Sequence, residues 1–109
     1  MKNSFDKKFL EKINDWLKTN QKIVLATVIQ TWGSSPQPVG SKMIINENGD
    51  FSGSVSGGCV ESAVIRECLE IIKKNILFKK IEFKISNENA WEAGLACGGE
   101  IEIYLEQIK

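Results

Sequence analysis

Histidine is absent from this 109-residue chain. Its absence removes Ser-His-Asp and Cys-His nucleophilic pairs, histidine metal sites and the commonest general base together. Any proton chemistry must run through carboxylates, lysines, thiols or water. Cysteine is scarce: Cys59, Cys68 and Cys97 are an odd number with no CxxC pair, so neither a disulfide framework nor a closed zinc site is encoded. A reducing, cytoplasmic setting is the expectation. Net charge is missing too, because 14 basic and 14 acidic side chains cancel, and no electrostatic case for nucleic acid follows. The longest apolar stretch, residues 23–29 with Thr27 inside it, is far too short to span a bilayer, so no membrane association is expected.

What remains is an ordinary globular composition, 42% hydrophobic and 26% charged, in a chain long enough for one hydrophobic core. Phe9, Leu10, Ile13, Trp16 and Leu17 recur at helical spacing, which predicts an amphipathic helix over residues 5–19 ending near Asn20. Residues 22–32 are nearly all apolar and β-branched, the mark of a central strand covered on both faces. GSSPQPVGSK, residues 33–42, excludes regular structure through its glycines and both prolines of the chain. Asn48-Gly49 between MIIN and FSGSVS predicts a hairpin, with Phe51 and Val55 on one face and Ser52, Ser54 and Ser56 on the other. Residues 59–74 turn helical, with Val60, Val64, Cys68, Ile71 and Ile72 on one stripe, Glu61 near the start and Lys73 and Lys74 at the end, as the helix dipole favours. Two alternating strands follow, through Ile81, Phe83 and Ile85 and through Ile101, Ile103 and Leu105, with the irregular stretch SNENAWEAGLACGG between them. This order predicts an α/β (α+β) single domain: a mixed sheet of about five strands packed by two main helices.

Chemistry concentrates at two glycine–cysteine steps in opposite order, Gly57-Gly58-Cys59 and Cys97-Gly98-Gly99. Glycine lets a ligand approach the backbone, and a helix start attracts anions and lowers a thiol pKa, so Cys59 is read as a functional thiol rather than a small core residue. Cys97 has no helix behind it, and its role depends on meeting Cys59. Cys68 lies on the apolar stripe and is read as core. The GSSPQPVGSK loop is either an anion cradle built from backbone N–H groups, Ser34, Ser35, Gly40, Ser41 and Lys42, or a rigid crossover. Its Gly40-Ser41-Lys42 reverses the P-loop order, and residues 53–58 do not fit the dinucleotide fingerprint. Glu61 is either a base for Cys59 or, as the first turn of a helix favours, a partner for the dipole. Trp32 and Trp91 flank the candidate loops, either to stack on a flat heterocycle or to pack at a loop edge.

The strings TWGSSPQPVGSKM, GSVSGGCVESAV and NENAWEAGLACGGEIEIY resemble the N-terminal domain of the XdhC/CoxI family, accessory proteins of xanthine dehydrogenase and carbon monoxide dehydrogenase maturation. The resemblance implies a chaperone that binds the molybdenum cofactor (molybdopterin) as cargo and shields it while a cysteine desulfurase supplies its sulfido form. The loaded cofactor would then go to a molybdenum hydroxylase client. The family's blocks fall on residues 33–42, on Gly57, Gly58 and Cys59 after Ser56, and on Ala96, Cys97, Gly98 and Gly99; Cys59 and Cys97 would be the molybdenum or sulfur contacts. Gln37 stands where family members often carry a basic residue. Members similar to this one continue into a Rossmann-like domain, which the resemblance assigns here to a separate subunit or to none, and a homodimer is expected. Two other classes compete with the carrier: a thiol-dependent sulfur or acyl transferase using Cys59 with a glutamate base, and a scaffold bridging a Rossmann partner and the client.

Overall fold

A computed structural model describes residues 7–32, 37–56, 60–85 and 99–109. Helix α1 (Lys7–Lys18) leads into β1 (Ile23–Trp32), β2 (Lys42–Asn46) and β3 (Phe51–Gly53); α2 (Glu61–Lys74) then precedes β4 (Phe78–Ile85) and β5 (Gly99–Gln107). The strands form one sheet in the order β3-β2-β1-β5-β4, and every pairing is antiparallel. Five strands and two helices are as expected, but the sheet is not mixed. The strand–helix–strand unit β3-α2-β4 does give two strands of like direction, yet β2, β1 and β5 lie between them. An α+β layout results rather than a βαβ one.

Strand alternation divides the apolar residues between two faces. Val24, Ala26 and Val28 of β1, Met43 and Ile45 of β2, and Ile101, Ile103 and Leu105 of β5 meet Val64, Cys68 and Ile71 of α2 in the larger core. Intervening residues Ile23 and Ile44 meet Phe9 and Trp16 of α1 in a smaller one. Central β1 is therefore covered on both faces only along its first half: Ile29 is 40% exposed where the β1–β5 register slips between Val28 and Gln30. A β-bulge of this kind bends the strand and re-aims the side chains beyond it.

Helix ends follow local chemistry. Asn20 adopts a left-handed φ of 58° just beyond α1, and its N–H bonds the Leu17 carbonyl. Asn75, φ 53°, closes α2, with the Asn75 and Ile76 N–H groups bonding the Ile72 and Ile71 carbonyls. The Asn48-Gly49 hairpin forms as expected, with Gly49 at φ +85°. Asn46 sets this turn: its side-chain oxygen accepts the Asn48 and Asp50 N–H groups at 2.9 and 3.0 Å.

Candidate functional site

Strand directions bring the candidate segments to one end of the sheet. β1 finishes there at Trp32, opposite Glu100 near the start of β5, and β4 finishes at Ile85, opposite Gly99. β2 starts on the same side at Lys42, opposite Thr27, and β3 finishes beside it, with Gly53 opposite Met43. All three stretches bearing the glycine blocks thus leave or re-enter the sheet at that end. Ser34, Ser35, Trp91, Cys97, Gly98 and the Gly57-Gly58-Cys59 step itself lie outside the described residues. Their described neighbours Gly40, Ser41, Lys42, Ser56 and Gly99 mark the site's frame.

The return of the first stretch is stitched to β1. The Gly40 N–H donates to the Val28 carbonyl at 2.8 Å, the Val28 N–H to the Ser41 carbonyl at 2.9 Å, and the Ser41 N–H to the Pro38 carbonyl at 3.1 Å. The Gly40 and Ser41 amides, candidate cradle donors, therefore hold the loop's own shape. Lys42 directs its ammonium along the neighbouring strand, with Nζ 3.5 Å from Thr27 Oγ1. The second stretch is hooked to the first, because the Ser54 N–H donates to the Lys42 carbonyl at 3.1 Å. Gly53 permits this approach: its φ is +87°, and a Cβ there would collide with the Lys42 carbonyl oxygen.

Glu61 closes the second stretch. Its carboxylate, on a residue 9% exposed, reaches back from the first turn of α2. There it accepts Ser54 Oγ at 2.6 Å, the Val55 and Ser56 N–H groups at 3.0 Å each, and the Ser56 hydroxyl. Ser56 Oγ in turn accepts the Val60 N–H at 2.9 Å. Both flanks of residues 57–59 are thereby joined through one carboxylate. Burial pushes the Glu61 carboxyl up, but the donors from Ser54, Ser56 and Val55 outweigh it and hold the pKa at about 2, against an ordinary 4.5. A carboxylate so held is a poor proton acceptor near neutral pH, so Glu61 does not suit the base role the transferase reading needs. Its place in the first turn agrees with the dipole reading, while its main partners are the serines, which that reading did not include.

Cys68 is core, fully buried on the sheet-facing side of α2, with burial first and Glu67 second pushing its thiol up to about 12. Among the described residues, no group of three or more acidic, cysteine or histidine side chains is placed to hold a metal, and no helix is long and apolar enough to cross a membrane.

Residues 16–78, from α1 into β4 and including the first two glycine blocks, match the model of the XdhC and CoxI family. The chain belongs to that family. Within it, the chain is 32% identical over 94 residues to the molybdenum cofactor insertion chaperone PaoD of Escherichia coli (strain K12), covering 85% of this chain and 29% of that protein. It is 30% identical over 94 residues to a probable xanthine dehydrogenase subunit of Bacillus subtilis (strain 168), covering 84% and 28% respectively. A crystal structure of a protein described as a xanthine dehydrogenase from Bacillus halodurans superposes with a TM-score of 0.75 at 28% identity, over 92% of this chain and 30% of that one. This XdhC and CoxI family chain spans less than a third of the length of each of these relatives.

Proposed function

We propose that this domain takes part in maturing a molybdenum hydroxylase of the xanthine dehydrogenase or carbon monoxide dehydrogenase type, holding the molybdenum cofactor as cargo at the loop-bearing end of its sheet. The observation that carries the reading is that the strand ends flanking the three glycine-block stretches lie at that end, with the Glu61 clamp joining the described flanks of residues 57–59. The E. coli relative's name, a molybdenum cofactor insertion chaperone, supports the cargo.

The cargo's chemistry fits the residue types. A phosphate calls for an ammonium such as Lys42 and for N–H and hydroxyl donors such as those of Ser34 and Ser35; a flat pterin calls for glycine or aromatic surface; a sulfur-ligated metal calls for a thiolate. In this reading Cys59 is the metal or sulfur contact and Cys97 the second, with Gly57, Gly58, Gly98 and Gly99 letting the backbone approach. Gly40, Ser41 and Ser56, engaged within the protein, shape the frame around the cargo. A carrier accelerates no bond change and needs no general base. The client is the hydroxylase and a cysteine desulfurase is the sulfur source, in a cytoplasmic setting.

The test is anaerobic co-elution of molybdopterin and molybdenum with the purified protein, run beside Cys59→Ala. Stoichiometric retention by the wild type, lost in the variant, is the expected result. No retention by the wild type overturns the self-sufficient carrier and leaves the scaffold reading, in which Cys59→Ala leaves complex assembly and client activation intact.

A further inference from the structure

β4 is an edge strand of eight residues, FKKIEFKI, and among the described residues no strand pairs with its outer side. It is long for an edge, and Phe78 at its start is 62% exposed. It also carries crowded carboxylates. Glu82 sits directly opposite Glu102 on β5, a like-charge pair of the kind that destabilises a sheet. Lys80 bridges Glu102 at 2.9 Å and also feels the charge of Glu82, so one lysine of the chain serves two carboxylates on this face.

We propose that β4 pairs with β4 of a second copy of this chain, antiparallel about a two-fold axis at Ile81, joining two five-stranded sheets into one. The sequence specifies that register. With Ile81 opposite itself, the partner's Lys80 stands opposite Glu82 and the partner's Glu82 opposite Lys80, while Lys79 meets the partner's Phe83. Each Glu82 then faces a lysine across the join, and exposed Phe78 falls within the paired stretch. Moving the axis by one residue sets Lys80 or Glu82 against its own copy, which like-charge repulsion disfavours. An axis at Phe83 also matches charges, Glu82 with Lys84, but it pairs only residues 81–85, whereas the Ile81 axis pairs 78–84. Lysines guard an edge against indiscriminate pairing, and here they select one register instead. The antiparallel join points the loop-bearing ends of the two sheets in opposite directions, so neither site blocks the other.

Sedimentation of the wild-type chain at high micromolar concentration should show a dimer. Glu82→Lys and Lys80→Glu should each raise its dissociation constant by about tenfold or more, because two attractive pairs become two repulsive ones. The double swap, carrying both substitutions, should restore it. In a two-fold antiparallel pair the Cα atoms of residue 81 lie about 4.5–5.5 Å apart, within disulfide reach, so Ile81→Cys should form a disulfide mapped by mass spectrometry to position 81 of both copies. A monomeric wild type, a dimer indifferent to both single charge reversals, or an Ile81→Cys protein that dimerises without a cross-link at 81 would each overturn the proposal. Far-UV circular dichroism confirms that each variant compared is folded.

Discussion

A single carboxylate ties Ser54, Val55 and Ser56 to the start of α2. Glu61 gathers the Ser54 and Ser56 hydroxyls and the Val55 and Ser56 amides, so its folded pKa of about 2 lies below the unfolded value near 4.5. The folded state then binds fewer protons across that interval, and stability rises with pH through it. The contribution is complete above about pH 4.5 and is lost as the pH falls towards 2. Glu61→Gln should cost about 2–3 kcal/mol at pH 7, since an amide presents its NH2 to donors. Urea unfolding of wild type and variant at pH 3 and pH 7 checks this: the gap between the two proteins should narrow in acid. At Cys68, burial without a polar partner predicts that Cys68→Ser loses about 1–3 kcal/mol, and that the native thiol resists alkylation until the protein unfolds.

Between elements, two glycines with similar backbone angles perform different tasks. Gly40 at φ +94° faces open space, whereas Gly53 at φ +87° lies against the Lys42 backbone. Gly40→Ala therefore meets only the left-handed penalty of about 1–2 kcal/mol. Gly53→Ala adds a collision with a carbonyl oxygen that belongs to a paired strand and cannot swing aside, so its loss should reach about 3 kcal/mol or more. Thermal unfolding of both variants tests the order.

Across the whole molecule, the larger core spans β1, β2 and β5 beneath α2, while α1 covers only a patch around Ile23 and Ile44 on the opposite face. Stability should be graded accordingly. Native-state hydrogen exchange is expected to be slowest in β1 and β5, faster in α1 and fastest in β3, a three-residue edge. If α1 exchanged as slowly as β1, its small contact would have to be more strongly coupled to the core than its burial implies.

The local elements are legible in the sequence, because their causes are local. The spacing of Phe9, Ile13 and Trp16 makes α1, the stripe of Val64, Cys68 and Ile71 makes α2, and Asn48-Gly49 makes the hairpin. Alternation in β4 and β5 was equally legible, and so was the family, carried by strings rather than by spacing. Properties that depend on contacts distant along the chain are visible in the folded molecule alone. Strand order is one such property: inserting β5 between β1 and β4 makes the sheet wholly antiparallel, and no hydrophobic pattern records which strand lies beside which. The role of Glu61 is another. A glutamate in a first turn suits the helix dipole in any helix, and the pull of Ser54 and Ser56 on it exists only after β3 ends at Gly53 and folds back over the start of α2. A third is that the strand ends flanking the three glycine-block stretches lie at one end of the sheet, fixed by the alternating directions of five strands that no single block specifies.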